Sequence, residues 1–539
     1  MSTSKPQPPT VWPAITIAVA FFLLFLALRT NDYTSVDGAL RCLGVYFKGH
    51  QLHGNNHMLY PFWVEMWAKV ASFVGIRAED AFQFIRVSQA MNALACAAAA
   101  GCVCYLIASL ASIKAAVLGS LLFGLSSTVT LQATTSDEAP CGLFFATLAL
   151  AILACSLRNN RGAIFFLAGF CMTAALASYE AAGAVVGMAV LLCCFWPSDS
   201  PRKAVTAFRR LVITGVGSGV GIVVIYGWVY ASQGVPVSKM PTTLLSPGGS
   251  PEVYTGVNLL PSKMLNMPFG LIQWLFSALP ADYSGTRALF HHSHRWFWLA
   301  VVGAAFALLA VIFILALRSW RRIGFAANAS QTILVLLAVA LISLPLWAWG
   351  PNNPKMWLFP LACASFAIAV AWDRDPRDHL HRVFAACLVA CLVVETARNV
   401  PAMIRDHTEP TPHLDDARAV AQIVGPDDWV VLDFDEVSTL WATIYGDRVK
   451  WLLVPSSNTS EITRWLDEAK NATRAPGHGR LFFLGVLQAS REQWDPFLGA
   501  RVKIPYELMD EYRKGTTLVR RVSTGDPPIE LRQYMPPSQ

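Results

Sequence analysis

Charge is what this 539-residue chain has least of. Asp, Glu, Lys and Arg make up 14% of it, against about a quarter in an ordinary soluble protein, and the deficit is concentrated in the first three quarters. Hydrophobic residues reach 54% and the mean hydropathy is +0.44. The small basic excess, formally +7, falls in short clusters between apolar runs, which argues against a nucleic-acid partner. Cysteine outside the apolar runs is equally scarce. Of the 12 cysteines only Cys42 lies in a loop; the others sit in apolar runs and pack as small hydrophobes. That pattern offers neither a disulfide framework nor a zinc-ligand spacing. A Gly-rich phosphate loop is missing from the C-terminal tail, and an internal repeat of fixed period from the chain.

What the chain does have is apolar runs long enough to cross a bilayer. They fall near Val11–Leu28, Ala90–Leu110, Ala115–Leu131, Pro140–Leu157, Ala163–Ala177, Ala181–Trp196, Leu211–Tyr230, Trp296–Leu317, Gln331–Trp349, Met356–Trp372 and Val383–Thr396. The first lacks a small-x-small cleavage pattern and reads as a retained helix, not a signal peptide. Ser178, Tyr179, Glu180 and Gly183 break the fifth run from the sixth. The fold class expected is therefore a polytopic α-helical membrane protein of about 11 transmembrane helices with a small C-terminal α/β extramembrane domain. Basic residues mark alternate loops: Lys114; Arg158 and Arg161; Arg202, Lys203, Arg209 and Arg210; Arg318, Arg321 and Arg322; Arg374, Arg377 and Arg382. Short Lys/Arg-rich loops stay cytoplasmic. That places the N-terminus inside, and the first loop, the Asp137 segment, the Glu180 turn, the loop 231–295, the Trp347–Trp357 turn and the tail outside. In a bacterium, the expected setting, the membrane is the inner one and the outside is the periplasm; in a eukaryote the outside is the lumen.

Three regions follow: a polar, Pro-rich segment 1–10, expected to be disordered; a transmembrane domain 11–400 with external loops 30–89 and 231–295; and an external domain 406–539. In the last, helical patterns at His413–Val424, Asp435–Tyr445 and Ser460–Lys470 alternate with apolar strands at Trp429–Asp433, Val449–Val454 and Arg480–Val486, which is the mark of an α/β unit.

The densest chemistry lies in the first external loop. Thr34 and Ser35 are placed to cap a helix from Val36, with Val36, Leu40, Leu43 and Phe47 on one apolar stripe suited to the membrane surface. Asp37 opens that helix and Arg41 follows one turn later. Beyond it run His50, His53, Asn55, Asn56, His57, Tyr60 and Pro61, then an aromatic segment with Phe62, Trp63 and Trp67. The histidine spacing fits no zinc motif, and the tryptophans read as an interfacial belt.

Asp37-Gly38 soon after the first helix, followed by His57-x-x-Tyr60-Pro61, resembles the integral-membrane GT-C glycosyltransferases, in particular the protein O-mannosyltransferase-like branch and its bacterial cousins. The resemblance implies that Asp37 is the catalytic acid/base residue, that Ser136-Asp137-Glu138 supplies a second acidic site, and that the tail segment Asp427–Asp433 with Tyr445 and Arg448 belongs to an external domain of that family. The activity implied is transfer of a sugar from a polyprenyl-phosphate-linked donor to an acceptor hydroxyl on a glycan, lipid or protein, with membrane lipids around it.

Such a transfer needs a carboxylate against the acceptor hydroxyl, whose own pKa is far too high for ionisation; an inverting displacement needs only one, here Asp37. The leaving phosphate gains charge and calls for cations or amide donors; Arg41, His53, His57 and Lys355 are the candidates, with Tyr60 beside them. Lys355 lies in Trp349-Gly350-Pro351-Asn352-Asn353-Pro354-Lys355, which reads equally as a phosphate cradle or as a tight hairpin with a snorkelling lysine. Asp137 and Glu138 either cap the fourth span, orient the acceptor or bind a divalent cation; no other cofactor is implied. Glu180, an acid deep in an apolar stretch, is expected to face a cavity or a partner. The competing expectations are a transporter or flippase for a lipid-linked sugar, which should show inverted repeats, and a non-catalytic envelope assembly protein.

Overall fold

The computed structural model of the chain describes residues 11–31, 42, 45–46, 59–159, 161–195, 203–232, 236, 238, 261–277, 294–322, 353–373, 379–408, 412–433, 435–446, 449–454, 459–474, 479–487, 491, 505–522 and 529–535. Its first part is a bundle: α1 (Trp12–Ala27), α2 (Tyr60–Phe73), α3 (Ala81–Ala108), α4 (Ile113–Gly124), α5 (Ser127–Thr134), α6 (Ala139–Asn159), α7 (Gly162–Ser178), α8 (Ala184–Phe195), α9 (Lys203–Gly221), α10 (Gly227–Ser232), α11 (Pro261–Phe276), α12 (Arg295–Arg322), α13 (Leu358–Asp373) and α14 (His379–Thr408). A π turn, Ile222–Tyr226, joins α9 to α10, and 3-10 turns precede α8 (Glu180–Gly183) and α13 (Pro354–Trp357).

Among the described residues six helices are long and apolar enough to cross a membrane, or seven if the bent pair α4–α5 is one span, and three shorter apolar helices accompany them. The expected run Gln331–Trp349 lies outside the described residues; each of the other ten coincides with a helix or a broken helix. Two expectations are corrected. The third run, Ala115–Leu131, is not straight but bends by 64° between α4 and α5. The last run, read as a short span over Val383–Thr396, is the middle of the 30-residue α14.

Packing explains where the helices approach. On α7 and α9, a Cβ at Gly169 would lie 2.0 Å from the Thr214 carbonyl oxygen, and one at Gly217 would lie 2.1 Å from that of Phe166. The Thr173 hydroxyl donates to the Ser218 carbonyl (2.9 Å) and the Ser218 hydroxyl to that of Gly169 (3.0 Å). Small residues and short hydroxyls at a crossing are how helices associate in lipid, where no hydrophobic force separates helix from tail.

Several of the turns between helices are joined by hydrogen bonds. Thr30 N donates to the Thr134 carbonyl and Leu59 N to that of Ala177, Trp63 Nε1 donates to Ser178 Oγ, and the Thr128 hydroxyl donates to the Pro354 carbonyl. Asp373 likewise accepts from Ser112 N (2.8 Å) and from its hydroxyl.

The tail carries α15 (Pro412–Ala421), β1 (Trp429–Leu432), α16 (Glu436–Tyr445), β2 (Lys450–Leu453), α17 (Thr459–Ala472), β3 (Leu481–Leu484), α18 (Asp510–Lys514), β4 (Thr516–Arg521) and β5 (Glu530–Tyr534). The sheet order is β2-β1-β3-β5-β4. β1 pairs in parallel with β2 and β3, in the register Val430–Trp451 and Val430–Phe482; β3–β5 and β5–β4 are antiparallel. The three parallel strands are those the apolar runs mark, whereas β4 and β5 are additions that make the sheet mixed.

The strands alternate faces with period two. Trp429, Val431, Leu481 and Phe483 meet Ile462 and Leu466 of α17 with Tyr512 and Tyr534. Val430, Leu432, Phe482 and Leu484 meet Ala417 and Val420 of α15 and Val437, Leu440 and Trp441 of α16. That second layer is continuous with Cys42, Val45, Tyr60, Val64, Phe84, Ile85 and Met91. The tail therefore rests through α15 and α16 on the first loop, α2 and the start of α3.

Candidate functional site

Asp37, Arg41, His53 and His57 lie outside the described residues, as does most of the expected surface helix; Cys42, Val45 and Tyr46 are described there and are helical. The structure does bring together three of the other predicted residues. Lys355 Nζ lies 3.0 Å from Asp137 Oδ2 and 2.9 Å from Glu138 Oε1. Both carboxyl side chains are 1% exposed and the lysine 13%. An ion cluster so far from water holds only because opposite charges and hydrogen bonds offset the desolvation.

Each member is placed by its local backbone. Asp137 and Glu138 precede α6, and Asp137 Oδ1 accepts from Ala139 N (3.1 Å) while Oδ2 meets the lysine. Asn92, an amide in the largely apolar α3, donates to the Thr135 and Asp137 carbonyls at 2.9 and 2.8 Å and fixes the loop between α5 and α6. Lys355 sits in the 3-10 turn: Asn353 Oδ1 accepts from Lys355 N (3.0 Å), and the Tyr179 hydroxyl reaches Met356 Sδ at 3.9 Å. The Lys355 ammonium thus points to the two acids. Glu180 opens the neighbouring 3-10 turn, Glu180–Gly183.

Beside the acids lies a buried hydroxyl cluster. Tyr60 is 0% exposed, and its hydroxyl is 3.1 Å from Ser88 Oγ and 3.3 Å from Ser136 Oγ. Ser88 and Ser136 are 2.9 Å apart, and Cys42 Sγ is 3.2 Å from Ser136 Oγ. Burial pushes both the Cys42 thiol and the Tyr60 phenol up, against the pull of the serine hydroxyls. Both are therefore neutral hydrogen-bonding groups, unsuited to nucleophilic attack. Ser88 and Asn92 were not anticipated as site residues. An amide or hydroxyl in an apolar run is the signal that could have marked them.

A third group of contacts surrounds the end of α1. Asn31 N donates to the Asp406 carbonyl (2.9 Å), and its side-chain amide donates to that of His407. Arg86 donates to Asn31 Oδ1 (2.9 Å), the Thr30 hydroxyl donates to the Asp406 carbonyl (3.2 Å), and His407 Nδ1 lies 2.6 Å from the Arg29 carbonyl oxygen. The start of the first loop is thus tied to the end of α14. Among the described residues no three His, Cys, Asp or Glu side chains gather to hold a metal.

No family model matches the chain, and no curated protein sequence matches it. Solved structures do. Arabinofuranosyltransferase AftD from mycobacteria aligns over 97% of this chain and 41% of its own, with 13% identity and a TM-score of 0.43. ArnT from Cupriavidus metallidurans, bound to undecaprenyl phosphate, aligns over 98% of both chains with 11% identity and a TM-score of 0.45. The archaeal oligosaccharyltransferase AglB from Archaeoglobus fulgidus, in complex with an inhibitory peptide and a dolichol-phosphate, aligns over 93% of this chain and 72% of its own. Its identity is 11% and its TM-score 0.51. The likeness to AglB is one of architecture, and on it the chain has the fold of the GT-C glycosyltransferases.

Proposed function

We propose that the chain is a membrane glycosyltransferase that moves a sugar from a polyprenyl-phosphate-linked donor to an acceptor hydroxyl, with inversion and with Asp37 as general base. The reaction would take place on the face where the first loop, the Asp137–Glu138 loop, the Lys355 turn and the tail meet. In a bacterium that face is the periplasmic side of the inner membrane. The shared GT-C fold supports the enzyme class, and the dolichol-phosphate in the AglB complex supports the donor class.

The observation that carries the reading is that both described ends of the Asp37 segment touch the second acidic loop. Thr30 hydrogen-bonds Thr134 and Cys42 contacts Ser136, immediately before Asp137. Position 37 is five residues from Cys42, so the covalent chain keeps it within about 17 Å of that anchor. One carboxylate on the first loop and a neutralised pair on the second is an arrangement for base catalysis with acceptor positioning. Arg41, His53 and His57 are then the candidates for the leaving phosphate, and Lys355 holds the acid pair in shape. O-mannosyltransferase-like specificity remains part of this proposal, resting on the first-loop motif alone.

The test is Asp37→Asn with Asp137→Asn and a neighbouring control, Asp32→Asn, in a strain lacking the chromosomal copy. Lipid-linked sugars and envelope glycans are measured by mass spectrometry. Asp37→Asn should leave the donor accumulated, as the deletion does, while Asp32→Asn restores product. Unchanged glycans in the deletion strain would refute the transferase reading. Full product from Asp37→Asn would refute the assigned base.

A further inference from the structure

The Asp137–Glu138 pair has a cation already. Two carboxylates adjacent in sequence and both 1% exposed need a positive partner, because burying a carboxylate costs several kcal/mol. Proteins meet that need with a divalent ion ligated by oxygen at about 2.0–2.6 Å or with a hydrogen-bonded ammonium near 2.9 Å. Here one nitrogen lies 3.0 Å from the first carboxylate and 2.9 Å from the second, the separations of an ammonium shared by both.

The nitrogen is also tethered. Asn353 caps the turn that carries Lys355, the Pro354 carbonyl accepts from Thr128, and Met356 is met by Tyr179. A cation linked to its site competes at high effective concentration with any free ion. Mg²⁺ and Mn²⁺ are commonly held by one or two carboxylates with water completing the shell, so the pair is chemically sufficient for such an ion once the ammonium is gone.

We propose that the Lys355 ammonium is the resident cation of the Asp137–Glu138 pair and occupies the position a divalent metal would otherwise take. Placing this pair at a reaction centre rests on the transferase reading. Ion binding is read without any sugar donor, so the failure of one leaves the other measurable.

The experiment titrates the purified full-length chain in detergent with Mn²⁺ alone and counts bound ions by the loss of the free-ion electron paramagnetic resonance signal. Wild type and the double variant Asp137→Asn/Glu138→Gln should bind the same number of ions. Lys355→Met should bind one more than wild type, and Lys355→Arg none more, because it keeps the charge. Wild-type binding of one Mn²⁺ that the double variant loses would overturn the proposal, as would a folded Lys355→Met with no gain. If Lys355→Met does not fold, the comparison of wild type with the double variant decides: equal counts uphold the proposal and a lost ion ends it.

Discussion

The Lys355 cluster makes a stability prediction that can be worked from its geometry. With N–O separations of 3.0 and 2.9 Å and an effective dielectric of about 20, each attraction is roughly 5 kcal/mol before desolvation is subtracted. Lys355→Met removes both attractions at once and leaves two buried carboxylates facing each other. Breaking a buried ion pair by removing one partner costs about 3–5 kcal/mol, and that is the destabilisation expected in metal-free buffer. Adding Asp137→Asn and Glu138→Gln to the same chain should recover most of the loss, because a cluster replaced as a whole leaves no uncompensated charge. The measurement is the midpoint of unfolding in mixed detergent–SDS micelles, followed by tryptophan fluorescence, for the single, double and triple variants. Strong non-additivity is the expected signature. A Lys355→Met variant within about 0.5 kcal/mol of wild type, the range of an ordinary surface change, would refute the argument. So would a triple variant destabilised by the sum of its parts.

Other perturbations test other parts of the fold. Burial pushes the Asp435 carboxyl from its ordinary 3.8 up to about 6, with Asp433 adding to the rise and Ser438 hydrogen bonds opposing it. The folded tail therefore binds more protons than the unfolded chain between those values, and its stability should fall as pH rises from about 4 through 6. Asp435→Asn should flatten that fall, worth about 3 kcal/mol, in a pH series of thermal unfolding; parallel curves would contradict it. Gly169→Val places a side chain against the Thr214 carbonyl 2.0 Å away and should cost at least the ~1–3 kcal/mol of overpacking, read as a lower unfolding midpoint. Glu395 on α14 is 0% exposed and neither carboxyl oxygen has a hydrogen-bond partner among the described residues. Glu395→Leu should therefore stabilise the bundle by about 1–3 kcal/mol, and a destabilised variant would show that the acid has a partner.

Much of this architecture was legible because the bilayer leaves few choices. Backbone groups in hydrocarbon must bond within their own segment, so an apolar run of sufficient length has to be a helix, and α6, α7 and α12 lie where their runs do. In the tail, Trp429–Leu432 and Leu481–Leu484 are uninterrupted apolar stretches, and both are interior parallel strands buried on both faces.

The bend between α4 and α5 was not legible. The run from Ala115 to Leu131 carries no proline, and its break is made by partners far away. Asn399 donates to the Leu125 carbonyl at 2.6 Å, and the Phe21 ring fills the space beside Gly124. Strand β4 was missed for the opposite reason. It is an edge, exposed along all but its first residue, so Thr516–Arg521 has no apolar pattern to betray it. Asp137, Glu138 and Lys355 were each readable as reactive types in turns, but their pairing spans 217 positions and belongs to tertiary structure alone.

The two anchors of the first loop explain what the tail domain contributes to the proposed chemistry. General-base catalysis depends on orientation, and a displacement of about 1 Å can cost on the order of a hundredfold in rate. The proposed base, Asp37, would depend on what holds the segment that carries it. Here one end of that loop is tied through Thr30 and Asn31 to the end of α14, the helix that leads into the tail. Farther along, Cys42 is buried in one hydrophobic cluster with Trp441, Leu440 and Val420 of the tail and is hydrogen-bonded to Ser136 of the second acidic loop. Both contacts run through the same α14–α15–α16 segment, so in the proposed enzyme the tail would act as a clamp on the base. On this argument, loosening the clamp should lower the turnover number with little effect on donor affinity. Trp441→Ala, which opens a large cavity in the shared layer, is the substitution that separates the two parameters.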